Sequence, residues 1–409
     1  QEVHALEGVP LQKGLALLNE GRLADARRIL EGVDGAEALY HVAAIDAWEG
    51  HDPEPRLRQV VARYPETRWG WRAAANLARG RDGALSGPMA RMYEPFFRAA
   101  GPSKELDSTV RRAVDMLLRM QRRDGSWTDA RFPFSANAQV LPNYWVVATA
   151  LAARALAEWR EIDPARIDEA LARADRWLLD DRRTSRGADI EIYADAYRLF
   201  YFTFTKDVPA MNRIVRNIAG LQQSSGYWAH TYPNSFTTAA VVHHLAAARR
   251  AGADVPSAIL DRAANALESA MGPGGRVAYN AARMPSSEKD SMARRGLCAL
   301  ALLECGRGTP PEVEAGLNYF WKHYARLEAV RVCDFHADGE LGGFTYFYGL
   351  FYAAEALETL DEPSRRVHAA KIRERVLALP EPDGTFADSP DLGKSYGTAR
   401  ALLILRRVR

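Results

Sequence analysis

The sequence carries little net charge. Among 409 residues, 54 lysines and arginines stand against 52 aspartates and glutamates, which gives a formal charge of +2. The two signs are interspersed, and the chain lacks the basic face with which nucleic-acid-binding proteins release counterions. We interpret the arginine pairs at 294–295 and 406–407 as solvated helix ends. The sequence therefore predicts no nucleic-acid partner.

Cysteines and long apolar runs are also scarce. Three cysteines are too few for a disulfide framework. Cys298 and Cys305 lie seven positions apart on a predicted helix, about 10 Å along its axis, which is too far for a bond between them. No apolar run is long enough to span a bilayer. The chain starts at Gln1, which fits a removed signal peptide or an artificial start, so a cytoplasmic and an exported location both stay open.

A short motif recurs along the chain. Residues 121–127 read Gln-Arg-Arg-Asp-Gly-Ser-Trp, and residues 222–228 read Gln-Gln-Ser-Ser-Gly-Tyr-Trp, with the same spacing of Gln, Gly and Trp. Worn copies occupy 271–277 and 380–386. The distances between the copies indicate a structural unit of roughly 50 residues, a length typical of helical repeats.

A pair of helices accompanies each unit. The first helix of each pair carries charge on one face and is predicted to face solvent, at 108–121, 165–180, 210–223, 257–271, 311–327 and 363–379. The second is apolar nearly all round and is predicted to be buried, at 143–159, 191–204, 235–250, 289–305, 344–360 and 394–407. Six hairpins of outer and inner helix predict an all-α fold, an (α/α)6 toroid over residues 108–409.

The Gln-Gly-Trp pattern resembles the repeat of squalene-hopene cyclases and protein prenyltransferases. It is matched in full at 121–127 and 222–228, and the six hairpins in phase extend the resemblance over most of the chain. The resemblance implies a terpenoid-cyclase-like toroid that binds an isoprenoid or another elongated ligand in its central cavity. It says less about the reaction, because one fold hosts many activities.

The residues that give such toroids their familiar reactions are missing. The Asp-x-Asp-Asp acid of the cyclases is absent, and Asp180-Asp181 lacks the upstream aspartate. The zinc Asp-x-Cys pair of the prenyltransferases is replaced by Asp290-Ser291-Met292, and the complement-type thioester motif is absent around Cys298. The sequence therefore assigns no metal ligands, names no cofactor, and leaves open whether the protein is an enzyme.

A separate helical segment precedes the toroid. Residues 1–80 form a tetratricopeptide-like segment with three or four short helices within 9–79, followed by a linker at 81–107. Such units bind peptides or partner proteins, whereas so short a segment also suits a helical cap packed on the toroid. Both interpretations stay open.

Catalytic side chains are expected just before the inner helices, where a toroid opens. Asp189, Glu191, Tyr193 and Asp195 alternate with apolar residues ahead of the second inner helix. Grouped carboxylates in a partly dry cavity acquire different pKa values and so serve as acid and base. The same acids also suit the positive start of a helix. Asp334 and His336, ahead of the fifth inner helix, suggest a general base, a metal ligand or a polar loop.

Aromatic side chains supply the candidate ligand-binding set, which comprises Tyr144, Trp145, Tyr197, His230, Tyr232, Tyr346 and Tyr348. Such rings stabilise carbocations, hold an isoprenoid chain or stack on sugars. Tyrosines outnumber phenylalanines here, and a buried phenol favours a polar partner. His243 and His244 lie inside an inner helix, where one is expected to point inward.

Three functions remain open. The first is an isoprenoid-handling enzyme or binder with nonstandard catalytic residues. The second is a carbohydrate-active lyase or hydrolase that uses the acidic, tyrosine and histidine residues on a glycan-like ligand. The third is a noncatalytic scaffold whose segment 9–79 binds a protein partner. The lining of the central cavity distinguishes them: phenylalanine for isoprenoids, an acidic groove for sugars, and a filled interior for a scaffold.

Overall fold

The computed structural model describes residues 10–19, 22–49, 51–65, 106–129, 142–188, 190–230, 232–279, 291–330, 346–380, 384–388 and 392–409, with five single positions between 67 and 77. Sixteen α-helices lie in these ranges. None of the described helices combines the length and the apolar character that crossing a bilayer requires.

Four of these helices lie in the described part of the front segment: α1 (Pro10–Asn19), α2 (Leu23–Leu30), α3 (Ala36–Trp48) and α4 (Glu54–Arg63). Each packs on its neighbour in sequence order through buried apolar residues such as Leu18, Leu30 and Leu57. Asp46 on α3 accepts from Arg27 on α2 and from Arg56 on α4, both at 2.7 Å. The tetratricopeptide-like assignment and the protein partner stay predictions.

Twelve helices form the rest of the structure, alternating between two layers. The outer layer contains α5 (Leu106–Met120), α7 (Pro164–Leu179), α9 (Val208–Gly220), α11 (Ser257–Ala270), α13 (Pro310–Val330) and α15 (Glu362–Leu377). The inner layer contains α6 (Pro142–Glu158), α8 (Glu191–Thr205), α10 (Ser235–Arg250), α12 (Met292–Glu304), α14 (Tyr346–Glu355) and α16 (Gly393–Arg407).

The inner helices form a closed ring. Each contacts the next in chain order, and α16 contacts α6. At this closure the indole Nε1 of Trp159 donates to the carbonyl of Leu402 at 2.9 Å. The predicted all-α (α/α)6 toroid is therefore confirmed. In this ring α8 lies opposite α14, so a contact between these two helices crosses the axis.

The motif residues join one hairpin to the next. The side-chain amide of Gln121 donates to the carbonyl of Gly125 at 3.1 Å and to that of Ala170, on the next outer helix, at 2.8 Å. The indole of Trp127 donates to the carbonyl of Leu117 at 2.9 Å. The second full copy repeats these bonds through Gln222 and Trp228.

A hydroxyl in the following inner helix, or at the residue just before it, completes each joint. In all four copies the backbone N–H of the last motif residue donates to a threonine or serine, in the pairs Trp127–Thr149, Trp228–Thr238, Val277–Ser291 and Phe386–Thr398, at 2.9–3.0 Å. The worn copies thus keep the hydrogen bond although they have lost the tryptophan. The repeat has a structural role.

Two expectations about arginine are wrong. Arg294 was expected at a solvated helix end, but it is 2% exposed and its guanidinium lies 4.9 Å from the ring of Tyr279. Arg407 is also largely buried, because it pairs with Glu158 and Glu355 at the inner side of the ring. Cys298 and Cys305 are free thiols, as their spacing predicts.

Candidate functional site

The loops that follow the motifs hold the N-terminal ends of the inner helices. Asp129 accepts from the backbone N–H of Ser395, at the start of α16, at 3.0 Å. Asp388 accepts from the backbone N–H groups of Tyr346 and Phe347, at the start of α14, at 2.7 and 3.2 Å. These carboxylates satisfy helix-terminal donors, and the candidate site residues lie at this same end of the toroid.

The acidic residues in the first two turns of α8 pair with arginines. Glu191 lies 3.0 Å from Arg186, and fully buried Asp195 pairs with Arg186 and, at 3.2 Å, with Arg198. Arg198 also donates to the carbonyl of Leu178 at the end of an outer helix, so this cluster lies between the two layers. Burial raises the pKa of Asp195 and the arginines oppose the shift.

The other three predicted catalytic residues, Asp189, Asp334 and His336, lie outside the described residues. Within the part of the chain that the structure describes, no three side chains of His, Cys, Asp or Glu group as a metal site would require.

Tyr193 and Tyr197 lie one turn apart on the inner face of α8. Their rings stack with centroids 6.1 Å apart, and the hydroxyl of Tyr193 accepts from Thr237 of α10 at 3.1 Å. Both tyrosines are buried. Their phenol groups therefore lie inside the ring of inner helices, one helical turn apart along its axis.

His230 lies between the motif and α10. Its Nδ1 is 2.9 Å from the amide nitrogen of Asn234, and its Nε2 is 3.4 Å from the hydroxyl of Tyr279. Tyr232 packs against it with ring centroids 5.7 Å apart and is 42% exposed. This cluster joins the site to the surface.

The remaining predicted aromatic residues divide between the two layers. Tyr144 and Trp145 are half-buried in the first turn of α6. The hydroxyl of Tyr346 pairs with that of Tyr324 on the outer helix α13. Tyr348 points inward and stacks on Phe236 with centroids 4.3 Å apart. Tyr348, and not Tyr346, therefore lies inside the ring of inner helices.

A buried arginine that the sequence analysis missed occupies the centre of the aromatic side chains. Arg400 on α16 is 0% exposed. Its Cζ lies 4.4–5.9 Å from the centroids of five rings, those of Tyr197, Tyr348, Phe351, Tyr352 and Tyr396. We call these six residues the aromatic core. An arginine in the middle of a predicted inner helix was the available signal.

Only part of the Arg400 guanidinium is hydrogen-bonded. Nη2 donates to the hydroxyl of Tyr197. Nε and Nη1 are buried and have no hydrogen-bond partner among the described residues. An arginine side chain stays charged in a protein, so the aromatic core contains a cation with free donors.

Hydrogen bonds extend from Arg400 across the axis. The hydroxyls of Tyr197 on α8 and Tyr352 on α14 lie 3.3 Å apart. The hydroxyl of Tyr352 lies 3.2 Å from Nε2 of His244 on α10. Burial, followed by the charges of His243 and Arg400, lowers the pKa of His244 well below its ordinary value, so its imidazole is neutral.

Charged residues close the ring at the other end of the inner helices. We call this group the ionic belt, which consists of Arg154, Glu158, His243, Glu304, Glu355 and Arg407. Arg154 also donates to the carbonyl of Phe200 at 2.8 Å, so the belt touches all six inner helices. Its charges are paired, whereas Arg400 forms no salt bridge with a carboxylate among the described residues.

Comparison with known proteins supports the fold. No protein-family model matches the chain, and no curated protein does. A variant of the type II terpene cyclase MstE from Scytonema, solved with its product merosterolic acid A, is 17% identical with a TM-score of 0.50, covering 74% of this chain and 96% of that one.

Two carbohydrate enzymes align over similar lengths. An inactive variant of the α-1,6-mannanase GH76A of Salegentibacter is 9% identical, with a TM-score of 0.48 and coverage of 74% and 99%. Cellobiose 2-epimerase from Spirochaeta thermophila is 13% identical, with a TM-score of 0.48 and coverage of 75% and 99%. The similarity to MstE shows the fold alone. The chain therefore has the α/α toroid fold that its repeat predicts.

Proposed function

We propose that the toroid binds an elongated small molecule within its ring and that Arg400 pairs with an anionic group of that molecule. One observation carries the proposal: the guanidinium is fully buried, and two of its nitrogens have no hydrogen-bond partner among the described residues. Within the same residues no carboxylate forms a salt bridge with Arg400.

The energetic cost of this arrangement favours a ligand. A buried donor without a partner costs about 1–3 kcal/mol, and Arg400 has two such nitrogens. The surrounding rings recover part of the cost, at about 2 kcal/mol for a desolvated cation–π contact. A carboxylate or phosphate offers charge and acceptors together, which makes it the strongest partner for a guanidinium.

The walls of the site are aromatic side chains, mostly tyrosines, whose rings can pack along the body of an elongated ligand. Tyr193, Phe236 and Tyr348 line the ring on the side of the helix N-terminal ends. On the other side the ionic belt closes the axis. A ligand therefore reaches Arg400 from the N-terminal side and lies along the tyrosines. MstE was solved with merosterolic acid A, and an isoprenoid acid is a suitable probe.

The alternative functions have less support. Glu191 and Asp195 are neutralised by arginines, which leaves no free pair of carboxylates there for sugar cleavage. A sugar acid still offers the anionic group that Arg400 lacks. A scaffold with no ligand is the outcome expected if every probe fails to bind.

The experiment measures binding of matched probes to the full chain. Isothermal titration calorimetry compares geranylgeranoic acid, the neutral alcohol geranylgeraniol, glucuronic acid and glucose. We expect the isoprenoid acid to bind at least about tenfold more tightly than its alcohol, a difference of about 1.4 kcal/mol. Equal affinities for acid and alcohol, or binding of glucuronic acid alone, would contradict the isoprenoid form of the proposal.

Two variants on α16 distinguish a role of Arg400 in ligand binding from a role in protein stability. Arg400→Met should abolish the preference for the acid and raise the stability of the ligand-free protein, because it removes an unpaired buried charge. Arg406→Met is the control, since Arg406 is partly exposed and pairs with Glu161. A loss of ligand-free stability in Arg400→Met with the acid preference intact would assign Arg400 a structural role.

A further inference from the structure

We propose that His244 is a specificity-determining residue of this site, donating a hydrogen bond from Nδ1 to the anionic group that Arg400 holds. The inference rests on the proposed function and names a second group for the same ligand. His244 is fully buried, and its Nδ1 has no hydrogen-bond partner among the described residues.

The chain of hydrogen bonds from Arg400 fixes which nitrogen of His244 carries the proton. A guanidinium only donates, so the hydroxyl oxygen of Tyr197 accepts from Arg400. Tyr197 then has its own proton to give to Tyr352 at 3.3 Å, and Tyr352 gives its proton to Nε2 of His244 at 3.2 Å. In this direction the hydroxyl groups of Tyr197 and Tyr352 each donate their own proton once.

The tautomer of His244 follows from that direction. Nε2 accepts and therefore carries no proton. The imidazole is neutral, because burial and the charges of His243 and Arg400 lower its pKa, and a neutral imidazole carries one proton. That proton is on Nδ1, the nitrogen that has no hydrogen-bond partner among the described residues.

His244 and Arg400 contact the same side chain. The ring of Tyr197 lies 5.2 Å from the His244 ring between centroids and 4.8 Å from Cζ of Arg400. The three unpartnered nitrogens on these two residues are all donors. They select a ligand group that only accepts, such as a carboxylate or phosphate, over an amine or an amide N–H.

A core histidine with a structural role predicts something different. Its Nδ1–H would remain unpaired also in the presence of the ligand, which destabilises the folded protein. Replacing the side chain by an apolar one would then leave acid binding unchanged. The two interpretations therefore differ in ligand affinity as well as in stability.

The first test reads the tautomer without a ligand. Nitrogen-15 NMR of the histidine side chains, with the His244 signal assigned by its loss in His244→Asn, shows which nitrogen is protonated. We expect the Nδ1–H form. In Tyr352→Phe, which removes the donor to Nε2, a mixture of tautomers should replace it. An Nε2–H form in the unaltered protein overturns the inference, while the anchoring role of Arg400 is untouched.

The second test measures affinity for geranylgeranoic acid and geranylgeraniol. His244→Leu should weaken binding of the acid at least about tenfold and change the alcohol little. His244→Asn, whose amide N–H lies near the position of Nδ1, should restore more acid affinity than His244→Gln, whose amide lies near Nε2. Should His244→Leu fail to fold, Tyr352→Phe replaces it and is expected to lower acid affinity.

The outcomes distinguish the two proposals. Unchanged acid affinity in His244→Leu, together with a loss in Arg400→Met, contradicts the role of His244 alone. Equal restoration by the Asn and Gln variants also contradicts it, because a donor at Nδ1 would then be irrelevant. Failure of the unaltered protein to prefer the acid contradicts the proposed function itself.

Discussion

The imidazole Nδ1 of His243 lies 3.1 Å from both carboxylate oxygens of Glu304, and its Nε2 lies 3.4 Å from Glu355. These three residues come from three consecutive inner helices, α10, α12 and α14. Burial opposes protonation of His243, but the two carboxylates outweigh it and raise the pKa to about 10. His243 is therefore a cation at neutral pH, and the ionic belt contains three positive and three negative side chains.

Removing this cation should destabilise the toroid. His243→Gln leaves Glu304 and Glu355 buried with one partner fewer, and breaking a buried pair in this way costs about 3–5 kcal/mol. Urea unfolding followed by circular dichroism measures the loss. The control is Arg250→Gln, which removes a 61% exposed partner of Glu304 and should cost at most about 1 kcal/mol. Equal losses in the two variants would show that the belt contributes no more than a surface pair.

The same group makes stability depend on pH. An unfolded histidine loses its proton near pH 6.5, whereas folded His243 holds it up to about pH 10. The folded state binds more protons between these values, so the contribution of His243 is fully present below about pH 6.5 and falls as the pH rises towards 10. The slope approaches about 1.4 kcal/mol per pH unit.

The measurement compares unfolding free energies of the unaltered protein and His243→Gln between about pH 6 and 9.5. Their difference should shrink steadily as the pH rises. Parallel curves across this range would mean that His243 is neutral in the folded state.

A substitution at Gly226, the glycine of the second full motif, tests how closely the two hairpins pack at their joint. Gly226 has φ +85°, and a Cβ atom there would lie 2.3 Å from the carbonyl oxygen of Arg262. Gly226→Ala should therefore combine about 1–2 kcal/mol of backbone strain with about 1–3 kcal/mol from the steric clash. Gly252→Ala is matched in backbone, with φ +99°, but meets only a side chain at 3.9 Å. Chemical denaturation should show a larger loss at Gly226; equal losses would exclude the clash.

The sequence predicted the fold well because the repeat is local. The spacing of Gln, Gly and Trp follows from bonds made within one joint, such as those of Gln222, and apolar periodicity separates inner from outer helices. The second and third predicted inner helices, 191–204 and 235–250, agree with the observed helices to within one residue. Each of these signals lies within one or two units of the chain.

The site was harder to predict because it depends on contacts between distant helices. Arg400 meets Tyr197 across 203 positions of sequence, and no local pattern indicates that pairing. Asp195 carries a plausible catalytic pattern, yet its arginine partners sit nearby and occupy both carboxylate oxygens. Periodicity places a side chain on a helix face, whereas the identity of its partner depends on tertiary packing.

Closure of the ring has a consequence for the order of folding. The bond from Trp159 to Leu402 joins helices whose contacting residues are 243 positions apart, and contacts of such separation form late. During synthesis α16 emerges after the other eleven toroid helices, and it also carries Arg400. A nascent chain can assemble its first hairpins before α16 is made, whereas the anion site that we propose at Arg400 forms only when the ring of inner helices is complete. Ligand capture would therefore stabilise only finished molecules.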